Sequence, residues 1–346
     1  MAYTTINDPS ANFQTTIYTG NGSTQNITNG GNSDLKPDWV WIKDRSASND
    51  HKLTDSTRGT TYTLESNANT AQYNDTGSTT AYLTDGFSLG SNGNVNTNSN
   101  NYVAWQWKAT GGTTSTNSDG SITSTVQANT SAGFSIVKWT GTGSNGTVGH
   151  GLGVAPDCIF FKNYTATENW TTYHSVLGNS GGLYLNLNNQ FNTASSWYQD
   201  TSPTSSSFYV GTNSKTNGGT MVAYCFANIK GYSNFGKYTG NGDADGPFIY
   251  TGFKPAYFCV KGTDITQNWQ LWDNKRNDYP NNPRQEILSP SSSSTESGNY
   301  NVDFLANGVK IRDTDGAWNG NGNNYVYLAF AVNPLVATNN VTATAG

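Results

Sequence analysis

Short runs rich in Val, Ile, Thr, Tyr and Trp alternate along the whole chain with turns built from Asn, Gly and Ser. No stretch sustains a 3.6-residue apolar period, so the pattern predicts strands and almost no helix. The stretch Pro37-Asp38-Trp39-Val40-Trp41-Ile42-Lys43 carries large residues on both of its faces, as a central strand buried on both sides does. Phe13-Gln14-Thr15-Thr16-Ile17-Tyr18 and Tyr102-Val103-Ala104-Trp105-Gln106-Trp107 read as further strands. Asn21-Gly22 marks a hairpin turn, because glycine accepts a positive φ without a Cβ clash.

One block of this pattern occurs three times. It opens with Tyr18-Thr19-Gly20, Trp139-Thr140-Gly141 and Tyr238-Thr239-Gly240. A proline then precedes a lysine by six residues each time: Pro37 and Lys43, Pro156 and Lys162, Pro255 and Lys261. Asp55, His174 and Asp273 stand twelve residues beyond those lysines. An alanine within an apolar strand closes each block, at Ala104, Ala223 and Ala329. Constant spacing between weakly similar residues implies one backbone path copied three times.

The blocks are long enough to bury cores of their own, so they read as tandem domains and not as solenoid repeats. The expected organisation is an N-terminal arm at 1–12, β-sandwich domains at 13–109, 133–229 and 231–334, a semi-ordered linker at 110–132 and a tail at 335–346. The middle of the linker, Ser121-Ile122-Thr123-Ser124-Thr125-Val126, could form an edge strand. The expected fold class is all-β, with three tandem jelly-roll-like sandwiches related by internal repeat. Proline to closing alanine spans 67, 67 and 74 residues, which places an insertion of seven within 277–301 of the third block. Such loops often carry the specific contact.

Charged residues make up only 12% of the chain, but its 44 aromatic side chains set it apart from disordered sequences. The net charge of −5 includes no basic cluster, which argues against nucleic-acid binding. Cys158, Cys225 and Cys259 occupy non-equivalent places in the blocks, so they read as buried free thiols and not as a disulfide or zinc framework. The opening Met1-Ala2-Tyr3-Thr4-Thr5 has no charged-then-apolar signal pattern and no run approaches a membrane span. Synthesis in a host cytoplasm is the expectation, with no membrane partner.

Candidate chemistry is sparse. His51, His150 and His174 are scattered over two blocks, and the Asp55/His174/Asp273 position changes its chemistry from block to block. A catalytic position common to the blocks would keep its acid or base. Asp55, Asp273 and Asp278 are the carboxylates that a sugar-hydrolysing pair would draw on. The competing reading assigns Asp55 and Asp273 to turn backbone and to nearby Arg58 and Arg276. Asn241-Gly242-Asp243-Ala244-Asp245-Gly246 matches half of a calcium loop, but Gly252 stands where the bidentate acid belongs, so an Asx turn is expected. No catalytic, cofactor or metal residue is therefore assigned. Trp197 and Trp318, in polar surroundings, and the equivalent pair Trp170 and Trp269 are candidate glycan contacts, since an exposed indole stacks on a sugar ring. Core packing is the alternative for all four.

Several of these segments resemble a family of marine, cyanophage-type bacteriophage structural proteins. The opening Met1-Ala2-Tyr3-Thr4-Thr5-Ile6-Asn7-Asp8-Pro9-Ser10, Leu35-Lys36-Pro37-Asp38-Trp39-Val40-Trp41-Ile42-Lys43, Asp55-Ser56-Thr57-Arg58-Gly59 and Asp85-Gly86-Phe87-Ser88-Leu89-Gly90 carry the likeness. It continues through Gly149-His150-Gly151-Leu152-Gly153-Val154-Ala155-Pro156 to Ala329-Phe330-Ala331 and so covers nearly the whole chain. Members are labelled tail fibres, capsid fibres or unassigned virion components. The usual family ending is basic and Arg-terminated, whereas this chain ends Ala343-Thr344-Ala345-Gly346. The resemblance implies a non-enzymatic virion protein displayed on the particle surface. Its expected partners are other capsid or tail proteins and further copies of itself, a trimer among the options, with a host-surface glycan as an additional ligand. The arm or the tail, lying outside the repeats, is the expected docking element. A glycan-binding adhesion module and a polysaccharide-degrading tailspike-like enzyme stand as alternatives.

Overall fold

The computed structural model describes residues 3–276 and 282–336. Among these residues the chain is all-β, with helix confined to single turns, and its strands pair antiparallel in several sheets, consistent with β-sandwich packing. No helix among them is long and apolar enough to cross a membrane.

The first block supplies β1 (Phe13–Thr19), β2 (Gln25–Ile27), β3 (Trp39–Asp44), β4 (Lys52–Asp55), β5 (Gly59–Leu64), β6 (Tyr73–Asn74), β7 (Thr79–Tyr82), β8 (Phe87–Leu89) and β9 (Asn101–Trp107). Next come β10 (Ser115–Asn117), β11 (Ser124–Asn129), β12 (Phe134–Thr140), β13 (Gly146–Gly149), β14 (Cys158–Asn163), β15 (Thr171–His174), β16 (Gly178–Tyr184), β17 (Asn192–Thr193), β18 (Ser207–Val210) and β19 (Thr220–Phe226). The third block supplies β20 (Ser233–Thr239), β21 (Phe248–Tyr250), β22 (Phe253–Gly262), β23 (Gln270–Asp273), β24 (Val302–Leu305), β25 (Gly308–Ile311) and β26 (Asn324–Pro334).

One strand order recurs. The large sheets contain β1-β9-β3-β4, β12-β19-β14-β15 and β20-β26-β22-β23, and the small ones are β2-β8-β7, β13-β18 and β21-β25-β24. The register recurs as well: Lys43 faces Val103, Lys162 faces Val222 and Lys261 faces Val326, at intervals of 60, 60 and 65 residues. These registers correct two expectations. Tyr327, not Ala329, is the counterpart of Ala104 and Ala223, because Asn324-Tyr325-Val326 aligns with Asn101-Tyr102-Val103. The third block is therefore longer by five residues, not seven. The topology also departs from a jelly roll, since β3, β4 and β5 follow one another as neighbours in one sheet and do not cross between sheets.

Alternation along the central strands divides the interior. Trp39 and Trp41, Cys158 and Phe160, and Tyr257 and Cys259 all point into one shared cluster. The intervening Val40 and Ile42, Ile159 and Phe161, and Phe258 and Val260 face separate clusters beneath the small sheets. A strand buried on both faces serves two cores at once, which is why these strands read as continuous apolar runs. The shared cluster is aromatic and crosses the blocks: Trp39 stacks on Tyr224 at 4.3 Å, Phe13 on Phe330 at 5.1 Å, and Phe226 meets Phe330 at 5.7 Å.

The glycine of each opening motif has a steric cause. A Cβ on Gly20, Gly141 or Gly240 would lie 2.2–2.4 Å from the backbone of Thr97, Asn217 or Gly320. That approach lets three buried asparagines clamp the opening loops. Asn96 Oδ1 accepts from Asn21 N at 2.9 Å, Asn217 Oδ1 from Thr142 N at 3.2 Å, and Asn319 Oδ1 from Asn241 N at 3.0 Å.

Segments outside the repeats are tied down. Within 110–132, β11 pairs with β12 along its whole length and β10 pairs with β11, so this stretch extends the second large sheet. Thr4, Ile6 and Pro9 are buried, and Tyr3 Oη donates to Gly252 O at 2.7 Å. The arm, expected as a docking element, thus packs on the third block. Of the insertion, 282–301 is described, whereas 277–281, which holds Asp278 and Pro280, and tail residues 337–346 lie outside the described residues.

Candidate functional site

The ionisable and hydrogen-bonding groups that the repeats place at equivalent positions converge on the seams between blocks. His51, Trp170 and Trp269 each stand eight residues beyond the block's lysine. Trp170 Nε1 donates to Glu65 O and Trp269 Nε1 to Tyr184 O, both at 2.8 Å. Trp41 Nε1 donates to His51 Nδ1 at 2.8 Å, which leaves the His51 proton on Nε2, 3.0 Å from Ser289 O. The second block therefore reaches the first, the third the second, and the first the third, a closed ring of contacts.

A second ring runs through the Asp55/His174/Asp273 position. Trp105 Nε1 donates to Asp273 Oδ2 at 3.0 Å, and Tyr224 Oη donates to Asp55 Oδ2 at 2.7 Å. The register makes Leu328 the counterpart of Trp105 and Tyr224, and leucine has no proton to donate. The acid that would have faced it is His174, whose Nε2 lies 3.2 Å from Tyr327 O. Asp55 and Asp273 also accept from Arg58 and Arg276 Nε at 2.6 Å, while the second block has Leu177 three residues past His174 in place of an arginine. Donor, acid and arginine thus differ together at this one seam.

Burial sets the electrostatics. Desolvation by itself would raise the Asp273 carboxyl, but the Arg276 charge and the hydrogen bonds from Arg276 and Lys275 hold it below its ordinary value. Burial drives His51 well below the usual histidine range, with the Lys43 and Arg276 charges adding to it. The three repeated lysines end fully buried. Lys43 Nζ donates to Asp44 O at 2.6 Å, Lys162 Nζ to Asn69 O at 2.9 Å and Lys261 Nζ to Gly262 O at 2.7 Å. Burial pushes all three down to about 8.

His174 gives a measurable pH dependence. Burial lowers it from 6.5 to about 4, only partly opposed by the bond to Tyr327 O. An unfolded chain takes up this proton near 6.5 and the native one only near 4, so the contribution is complete above 6.5 and is lost as pH falls through that window. The loss is expected to be about 3 kcal/mol. Urea unfolding of wild type and His174→Leu at pH 7.5 and 4.5 checks it: the variant should lose less stability on acidification. Equal losses would remove His174 as the cause.

The other sequence candidates are placed as follows. Trp170, Trp197, Trp269 and Trp318 are 0, 2, 0 and 1% exposed, so none offers a ring face to a sugar. The glycan-contact expectation for them is corrected: Trp170 and Trp269 lie in the shared cluster, and Trp318 packs edge-on to Trp272 at 5.2 Å and Trp197 to Tyr184 at 5.2 Å. Asp55 and Asp273 are buried in their arginine pairs and face no cleft. In the half calcium loop, Asn241 Oδ1 accepts from Asp243 N at 3.0 Å and Asp243 Oδ1 from Asp245 N at 2.8 Å, a run of Asx turns. Asp245 pairs with Lys310 at 2.7 Å. No cluster of three His, Cys, Asp or Glu suited to a metal occurs among the described residues. The three cysteines are buried free thiols.

Two aromatics that reach solvent were missed. Tyr250 and Phe248 are 55 and 46% exposed, at alternate positions of β21. Comparing the blocks position by position would have found them, because polar Asn26 and Thr147 stand where Phe248 does. A cleft of about 220 Å³ lies between the first and third blocks, lined by Gln14, Asn32, Asn274 and Asn333 among others.

A family model described as a domain of unknown function (DUF7483) matches residues 8–334. No curated protein and no solved structure matches the chain.

Proposed function

We propose that this chain, which belongs to the DUF7483 family, is a non-enzymatic structural protein of a bacteriophage particle, displayed on its surface as a capsid knob, fibre or decoration or as a tail appendage. The observation that carries this reading is the use made of the repeated polar groups. Asp55, Asp273, His51, His174 and the three lysines are all spent on seams and strand ends, none on a cleft. A body whose reactive groups all serve packing suits a load-bearing role. The likeness of the sequence to marine phage structural proteins supplies the particle, and low charge with short polar turns suits a protease-resistant exterior.

In this reading the body is three like-built β-sandwich lobes around one aromatic centre, assembling with other virion proteins and with copies of itself. A host-glycan adhesion role draws no support from the four buried tryptophans, nor a polysaccharide-degrading role from the arginine-locked Asp55 and Asp273. Mass spectrometry of purified particles should find the protein at many copies per particle. Its absence from particles that infect normally would end the reading.

A further inference from the structure

The outer edge of the small sheet differs in each block, and the difference is informative. Ile27, Val148 and Ile249 are equivalent, each buried and facing the neighbouring strand of its sheet. In the second block, His150 N donates to Ser206 O at 3.2 Å, which turns the backbone of Thr147 and Gly149 outward. The chain itself covers that edge. Ile122 N donates to Thr147 O at 2.9 Å, Thr147 N to Ser121 Oγ at 2.9 Å and Ser124 Oγ to Gly149 O at 2.8 Å, with Ile122 bridging Val148 as a parallel strand would. The first block leaves the edge open but polar, and Asn26 Oδ1 accepts from Ser88 Oγ at 2.7 Å.

In the third block, among the described residues, no segment runs along the edge; the arm reaches only its end, where Tyr3 Oη donates to Gly252 O at 2.7 Å and lies 3.4 Å from Tyr250 Oη. Ile311 N donates to Pro247 O at 3.2 Å and Thr251 N to Asn307 O at 3.0 Å, so the backbone of Phe248 and Tyr250 faces outward. Among the described residues no strand pairs with that edge, because β21 pairs with β25 alone. The two aromatic side chains at these outward positions are the most exposed large apolar groups described. Monomeric proteins blunt such edges with charge, bulges or a covering segment. Lys310, across from Phe248, is already paired with Asp245.

We propose that β21 pairs with β21 of a second copy of this chain, antiparallel about a two-fold axis, with Ile249 opposite the second copy's Ile249. This register is self-complementary. It sets Phe248 of each copy opposite Tyr250 of the other as hydrogen-bonded pairs, so every outward N–H and C=O of both edges finds a partner. The same register brings Phe248 and Tyr250 together as cross-strand aromatic pairs, which stabilise sheets. The two small sheets become one continuous sheet. The pairing rests on the fold alone and stands or falls independently of a virion role.

Sedimentation equilibrium of the full chain tests it, with two kinds of variant. Wild type should approach twice the single-chain mass as concentration rises. The double variant Phe248→Lys, Tyr250→Lys, altered only at exposed positions, should keep the single-chain mass, while Asn26→Lys on the equivalent edge of the first block should behave as wild type. Directly opposed residues lie within disulfide reach, about 5.5 Å between Cα atoms. A mixture of Phe248→Cys and Tyr250→Cys chains should therefore cross-link under oxidised glutathione, and neither variant alone should, the native cysteines being buried. A wild type of single-chain mass throughout overturns the proposal. So does a lysine variant that still dimerises, cross-linking by one cysteine variant alone, or a chain that stays single and binds oligosaccharide through these two rings.

Discussion

Arg276→Met is expected to destabilise the protein by about 3–5 kcal/mol, because it strips a buried carboxylate of its counter-charge. For a chain of this length that is a fall in Tm of roughly 4–7 °C. Arg276 is 1% exposed and donates to Asp273 Oδ2 at 2.6 Å, Glu296 Oε1 at 2.8 Å and Leu271 O at 2.8 Å. Without it Asp273 keeps only the Trp105 indole and two backbone N–H groups, and desolvation then raises its carboxyl. The native carboxyl lies below its ordinary 3.8, so its contribution is present above that value and is lost as pH falls through the native one. In the variant that contribution shrinks or reverses, so its stability should fall less on acidification than that of wild type. Adding Asp273→Asn removes the stranded charge, so the double variant should be less destabilised than Arg276→Met alone. Urea titrations of the two single variants and the double variant measure this cycle. A loss below about 1 kcal/mol for Arg276→Met would mean that the seam is hydrated and the pair acts like a surface one.

Trp39→Ala should cost about 3–5 kcal/mol, as large-to-small changes of buried aromatics do. Trp39 is fully buried and meets Trp107 of its own block at 4.5 Å, and Tyr224, Phe134 and Phe226 of the second block at 4.3, 6.1 and 6.0 Å. Phe226 in turn meets Phe330 of the third block. A cavity at Trp39 therefore weakens a cluster that all three blocks share, and the variant should unfold in one transition moved as a whole. Scanning calorimetry distinguishes this from independent lobes, for which only the first block's transition would move while the others stayed in place. Two or three resolved transitions in wild type would show that the central cluster does not couple the blocks.

Much of this molecule is legible in its sequence. The strands, the scarcity of helix and the threefold repetition follow from local alternation, turn residues and spacing, which depend on near neighbours. Pro37 to Lys43 reads as a doubly buried strand because both of its faces are apolar. The registers of Lys43, Lys162 and Lys261 bear out the equivalence drawn from spacing alone. Spacing misled only at the closing strand of the third block, where a match on one alanine outweighed the longer match on Asn324-Tyr325-Val326.

The candidate chemistry was less legible. A tryptophan in Asn- and Ser-rich surroundings looks exposed, but Trp197 and Trp318 are buried, Trp197 against Tyr184 and Trp318 against Trp272, and local composition carries no information on that. The sequence by itself determined the strands, their faces and their repetition, because backbone periodicity and turn chemistry are local. Only the tertiary structure decided that the blocks close into a ring around one aromatic centre, that His174 meets Tyr327 O at the seam where Leu328 replaces the donor, and that among the described residues no strand pairs with the outer edge of β21. The first two depend on which groups meet across seams between residues far apart in the chain, from 85 residues for Trp269 and Tyr184 to 238 for His51 and Ser289, where a single absent proton changes what faces it.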